Sequence, residues 1–499
     1  MNINEAKTYI KNSVSIYLKK DEFGDYRIPV VRQRPIFLLG APGIGKTAIM
    51  EQIAQELGIA LVSYSMTHHT RQSALGLPFI RQKQYGGMQV DVSEYTMSEI
   101  IASVYETMEQ SGVHEGILFL DEINCVSETL APSMLQFLQY KVFGKHKVPE
   151  GWVIVTAGNP PEYNKSVREF DVVTMDRLKV LSVEADYETW KKYAVERGVH
   201  SAILNFLDLK KEFFYHMETT AAGRSYVTAR GWEDLSQIIQ MYEEEGLKVD
   251  ENLVEQYLRS DTIVKEFCAY YDLYNKYKND YHVAEILAGN ISETAVEKAQ
   301  KAPFDERLSL LGLLLDEVQN RMQDVVTTGD YLSALVALLR EVKESASVME
   351  ALGSKTEALQ EQMQKKERAN ALSRDEKLLF KRQIRFLTET KKELLLRGEK
   401  DGAPAFAHVK EQLDGQVAAM KQEQSEVSDM LHHLFVFADK AFAQGNEMLI
   451  LVTELTVNDY SARYINLFGC EDYHKFNRVL MLSERQNEMK ETILKLDLE

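Results

Sequence analysis

The octet Gly40-Ala41-Pro42-Gly43-Ile44-Gly45-Lys46-Thr47 constrains this chain more than any other stretch, because it matches G-x-x-x-x-G-K-[ST] between an apolar run and a helical one. Ile36 to Leu39 reads as a buried parallel strand. Ala48 opens a segment with Ile49, Ile53, Ala54 and Leu57 at helical spacing. Strand, glycine turn and helix follow in the order that phosphate binding needs. The glycines let backbone N–H groups approach a polyphosphate, and the helix N-terminus presents its positive dipole end. Lys46 can reach the β and γ phosphates, and Thr47 can place its hydroxyl on Mg²⁺. Gly40 through Ala48 is thus the expected nucleotide-binding stretch.

A second motif, Gly116 to Glu122 (GILFLDE), delivers two adjacent carboxylates at the end of an apolar strand. By itself this is also a capped strand. Downstream of a complete phosphate loop it reads as catalytic, with Asp121 helping to hold Mg²⁺ through its water shell and Glu122 orienting the attacking water. Gly151 to Asn159 is a third core strand. Its terminal Asn159 suits the nucleophilic water or the γ phosphate, and before Pro160-Pro161 it is equally good turn chemistry. Asp176-Arg177 precedes a further strand, Val180 to Val183; an arginine there either stabilises transition-state charge on a neighbour's nucleotide or makes a surface ion pair.

The remaining pattern supplies the surroundings. A helix is expected over Ile3 to Lys20, a strand over Ala60 to Tyr64 and a helix over Thr96 to Gln110. Hairpins are expected over Gly76 to Asp91 around Gly86-Gly87, and over Tyr140 to Lys147 with Gly144 at the tip. Asp186 to Lys278 reads as mostly helical. Leu332 to Met363 reads as one heptad-like helix, with Ser345 and Thr356 filling gaps in its apolar seam. Ser373-Arg374-Asp375-Glu376 is a capping box opening a helix to Leu396; Gly398 to Pro404 breaks it, and Val409 to Ala443 resumes helical spacing. Short connections favour antiparallel neighbours, as a stalk or as a docking arm. Glu447 to Glu499 reads as a compact helical end.

Composition narrows the class of function. The formal net charge of −18 opposes broad attraction to DNA, RNA or an anionic membrane surface. No apolar run approaches a membrane span, and the start MNINEAKTYIKN lacks a secretory core, so the cytoplasm is the expected location and no membrane partner is expected. Cys125, Cys268 and Cys470 form no C-x-x-C pair. His68-His69 and His432-His433 are adjacent pairs that do not share a helix face, which argues against a metal site.

The order GAPGIGKT, LFLDEIN, TAGNP and MDRL, followed by Thr228-Ala229-Arg230-Gly231-Trp232, resembles an AAA+ ATPase over roughly residues 1 to 290. The DEIN sequence and the extra hairpin make it similar to the MoxR branch. The resemblance implies an α/β fold with a parallel sheet flanked by helices and a helical lid; beyond it, the apolar spacing predicts an all-α C-terminal region of long antiparallel, coiled-coil-like helices. The corresponding division is 1–185, 186–290, 291–445 and 446–499. It also implies Asn159 as sensor 1, Arg177 as an arginine finger across a subunit boundary with Arg168 as second candidate, and Arg230 as sensor 2 on the lid. ATP and Mg²⁺ are the implied cofactors. A homo-oligomeric ring, usually a hexamer, with both hairpins facing its axis, and a protein client, often with a von Willebrand factor A-type domain, complete the implied picture. Two departures stand out: Cys125 occupies a place where many MoxR members have Arg, and Val227-Thr228-Ala229 replaces a proline-rich approach to sensor 2. The expected activity is Mg²⁺-dependent ATP hydrolysis driving a chaperone or remodelling motor. The alternatives are a nucleic-acid motor, opposed by the acidic balance, and a nucleotide-binding scaffold.

Overall fold

The computed structural model describes residues 1–479 apart from 69–73, 75, 164–166, 221–222, 346, 399–401 and 443–444. The chain divides into two compact units: Met1–Thr189 with Gly353–Thr388, and Trp190–Leu352 with Glu389–Glu499. No helix among the described residues is long and apolar enough to cross a membrane.

The first unit is built on five parallel strands: β1 (Ile36–Gly40), β2 (Ala60–Ser65), β3 (Gly116–Asp121), β4 (Trp152–Gly158) and β5 (Lys179–Val183). Their order across the sheet is β2-β3-β4-β1-β5. Ile117 to Leu120 and Trp152 to Ala157 are buried without the alternation of a half-exposed strand, as expected where helices cover both faces. Each fully buried Leu, Ile or Phe here contributes about 1.5–3 kcal/mol. Thr156, polar within β4, donates its hydroxyl to the Ile36 carbonyl at 3.1 Å, which makes its burial tolerable. The N-terminal helix Ile3–Tyr17 starts at an Asn2/Glu5 capping box and buries Ala6, Ile10 and Val14, one stripe at helical spacing.

Among its described residues the second unit is helical apart from one hairpin. Ser201–Leu209, Ala229–Glu244 and Asp261–Asp280 enclose an aromatic core in which Phe206, Trp232 and Phe267 lie 5.4 to 5.9 Å apart. The strands His216–Thr220 and Gly223–Val227 interrupt a region whose apolar spacing reads as helix. Phe304–Glu344 buries leucines around much of its circumference and runs antiparallel to Gly402–Phe442, with Arg321 near Glu423 and Tyr331 bonded to Gln416. Leu332 to Met363 is not one helix. The first helix stops at Ser345, whose hydroxyl donates to the Val342 carbonyl at 2.6 Å while its backbone turns extended, and a new helix begins at Val348. Pro404 does not delay the next helix, which starts at Gly402, because proline is tolerated in a first turn. Asn446–Val457 and Asp459–Phe468 follow, and the end from residue 480 lies outside the described residues. His432 pairs with Asp472 and His433 with the Leu287 carbonyl; His69 lies outside the described residues.

Two hairpins project from the first unit. Pro78–Tyr85 and Met88–Tyr95 pair around Gly86-Gly87, extending four residues beyond the expected Asp91, and Val142–Phe143 pairs with His146–Lys147 around Gly144. Phe143 stacks on Phe137 with centroids 4.0 Å apart, which ties the short hairpin to its helix. Glu94 joins the two: its buried carboxylate accepts from Lys145 of the short hairpin and Lys83 of the long one. Those ammonium groups, Lys145 first, pull the Glu94 carboxyl from the ordinary 4.5 to about 2. A depressed carboxyl contributes stability that is fully present above its unfolded pKa and is lost as pH falls toward the folded one. The latch therefore holds at neutral pH and weakens between about 4.5 and 2. Glu94→Gln is expected to speed hydrogen exchange of the amides in 78–95 and 142–147 several-fold while leaving β3 and β4 protected. Unchanged exchange in both hairpins would refute the latch.

Candidate active site

Parallel pairing brings the C-terminal ends of β1, β3 and β4 to one edge, and β1 lies directly beside β4 with Leu39 level with Gly158. The chain after β1 turns through Gly43 at φ +76° and Gly45 at φ +93°, conformations that favour glycine, before the helix Lys46–Leu57 begins. At Gly40 a Cβ would fall 2.7 Å from the Val183 carbonyl oxygen and 2.9 Å from Ile44 Cδ1, so the start of the loop has no room for a side chain. Ala41 and Ile44 are buried beneath the loop, with Pro42 and Ala48 half-buried on its flanks. This cradle of glycines at a helix N-terminus fits a polyphosphate.

Lys46 is buried, and its Nζ donates to the carbonyls of Gly40 and Ala41 at 2.7 Å each and to Asn159 Oδ1 at 2.9 Å. Thr47 Oγ1 donates to Asp121 Oδ2 at 3.1 Å. A hydroxyl beside a carboxylate is the hard-oxygen donor set that Mg²⁺ takes. Four residues from three separate segments thus meet at one place.

Glu122 leaves β3 in a left-handed conformation, φ 55°, which costs a non-glycine residue about 1–3 kcal/mol. Its backbone N–H donates to Asp121 Oδ1 at 2.9 Å, and its carbonyl accepts from Cys125 N at 2.9 Å. Its Oε2 accepts from Ser65 Oγ at 3.2 Å and Thr67 Oγ1 at 3.1 Å, at the end of β2. Neither hydroxyl stands out in the sequence; the only signal is that β2 must end beside β3, where Ser65 comes level with Asp121. Burial, then the Glu122 and Asp121 carboxylates, push the Cys125 thiol up, so it is not an activated thiolate.

Asn124 is a third residue that sequence reasoning passed over. Its Nδ2 donates to the Asn159 carbonyl at 2.8 Å and its own carbonyl accepts from Arg168 N at 2.9 Å, tying the acidic motif to the segment after β4. The two arginine candidates differ. Both are exposed; Arg168 is paired with Glu128 at 2.6 Å, and Arg177 lies in the turn before β5. Arg230 is an exposed residue in the first turn of Ala229–Glu244, a helix capped by Thr228 in the second unit.

Residues 36–177 match the model of the ATPase family associated with various cellular activities (AAA). No curated protein matches the chain. The matched segment spans the loop, both carboxylates, Asn159 and Arg177, which makes it an AAA domain of the AAA+ ATPase type.

Gly158 tests the packing of this edge, because a Cβ there would lie 2.5 Å from Asn124 Oδ1. Gly158→Ala is expected to destabilise the first unit by roughly 1–3 kcal/mol in urea unfolding. Most of that cost should vanish when Asn124→Ala is added; an equal cost in both backgrounds would show that the side chain of Asn124 is not the obstacle.

Proposed function

With an AAA domain at residues 36–177 as premise, we propose that this chain hydrolyses ATP and works as a MoxR-type ring, in a hexamer, that remodels a protein client. The observation that carries the hydrolytic reading is the meeting of Lys46 with Asn159 and of Thr47 with Asp121 at the edge where Glu122 emerges. Phosphoryl transfer to water needs positioning and charge neutralisation rather than a covalent group. In this reading Gly40 to Ala48 cradle the phosphates, Lys46 binds the β and γ oxygens, and Asn159 orients the γ phosphate or the water. Thr47 and Asp121 would hold Mg²⁺, whose charge neutralises the phosphates when it is bound. Glu122 accepts the proton of the attacking water. Arg230 keeps the sensor 2 role that the resemblance implies.

The ring reading takes Arg177 as the residue offered to a neighbouring protomer's nucleotide, because Arg168, exposed like it, is already paired with Glu128. The long antiparallel helices support a docking arm for the client, for which a von Willebrand factor A-type domain is the candidate. The charge of −18 weighs against a nucleic-acid motor.

Phosphate release by the purified chain with Mg²⁺ and ATP tests the activity. Glu122→Gln is expected to slow turnover roughly 100- to 10,000-fold while retaining nucleotide affinity, whereas Lys46→Ala should lose affinity itself. A Glu122→Gln rate equal to the wild type would instead favour a nucleotide-binding scaffold. The ring is tested by mixing: Arg177→Ala subunits keep their own Glu122, and Glu122→Gln subunits keep their Arg177. If the arginine acts across a boundary, mixing the two inactive variants restores part of the activity; no recovery counts against an arginine shared between protomers.

A further inference from the structure

We infer that Asn370, at the tip of a helical hairpin far along the chain, is a positioning residue for hydrolysis that acts on Glu122 through strand β2. The inference rests on the hydrolytic reading above. β2 lies at the edge of the sheet, paired among the described strands with β3, and its outer side is covered by the turn Ala369–Ala371. Leu61 N donates to the Ala369 carbonyl at 3.0 Å, and Asn370 Nδ2 donates to the Leu61 carbonyl at 3.1 Å, so the turn satisfies both polar groups of one residue as a neighbouring strand would. Asn370 holds φ 50°, a left-handed conformation that Asn accepts more readily than most residues.

The turn is also part of the core. Ala369 is 1% exposed and shares one apolar cluster with Met66 and Ile123. Met66 lies between Ser65 and Thr67, the two donors to Glu122, and Ile123 follows Glu122 directly. A shift of the turn therefore bears on both partners of the Glu122 contact, along β2 from Leu61 to Ser65 and through the packing of Met66 and Ile123. The hairpin presents this turn rigidly: Lys366 pairs with Glu376 and Lys377 with Glu367, each at 2.6 Å, and Ser373 caps the second helix. Both of its helices, Val348–Arg368 and Arg374–Arg397, continue into residues of the second unit.

Asn370→Gly keeps the backbone conformation and removes the donor; Asn370→Asp keeps the shape and sets a carboxylate against the Leu61 carbonyl. Either is expected to lower kcat for ATP roughly ten-fold or more with KM little changed, the result of misplacing a catalytic group rather than losing substrate contacts. In a Ser65→Ala, Thr67→Val background the same substitutions should have less than about a two-fold further effect, because the route to Glu122 is already cut. An equal loss in both backgrounds, or no loss in the first, overturns the inference. Hydrogen exchange of the nucleotide-free protein provides the second readout and requires no turnover. Both variants should exchange faster at 61–67 and at 122–125 than the wild type, and unchanged exchange there overturns the inference even if the chain hydrolyses nothing.

Discussion

Parallel pairing is the constraint on which the rest of the first unit depends. When all five strands point the same way, every strand leaves the sheet at one edge, and residues distant in sequence meet there without long side chains. The order β2-β3-β4-β1-β5 then decides which of them touch. β4 lies between β1 and β3, so Asn159 can meet Lys46 while Asn124 reaches back to the Asn159 carbonyl. β2 lies beyond β3, so its last residues fall beside Glu122 rather than beside the loop. The chemistry follows from strand order as much as from residue type.

What could be read from the sequence tracks how local the signal is. The octet and GILFLDE place a strand, a turn and acids within a few residues of one another, and the structure keeps each in that order, with Glu122 just past the strand. The hairpin glycines likewise announce their own turns. Ser65, Thr67 and Asn124 carry no such mark, because their importance arises from register between strands set by distant residues. The seam from Leu332 to Met363 misled for a different reason: the apolar spacing carries on past the place where one helix ends at Glu344 and the next begins at Val348. The strands at His216 and Gly223 show tertiary context overriding a helical reading. Nothing in the pattern around Ala369 says that it belongs with β2; an alanine between two charged helices reads as a plain turn until its carbonyl is found on Leu61.

Glu122 shows what such a site costs. A left-handed glutamate is strained, and the strain persists because its neighbours leave no alternative: Asp121 Oδ1 takes its N–H, Cys125 takes its carbonyl, and Ile123 is anchored in the apolar cluster. The two hydroxyls of Ser65 and Thr67 then fix the side chain. A carboxylate held at both backbone and head has lost its orientational freedom before any reaction begins, which is the condition for a positioned base.

Lys46 completes the argument from the opposite side of the site. An ammonium this deeply buried is expensive unless its protons find acceptors, and two loop carbonyls and Asn159 Oδ1 provide them. A phosphate oxygen approaching Nζ competes with those neutral oxygens and wins only by the difference between a charge-assisted bond and the bonds it replaces. Asn159 is one of those three acceptors, so a phosphate oxygen that took its place in the proposed reaction would free the amide.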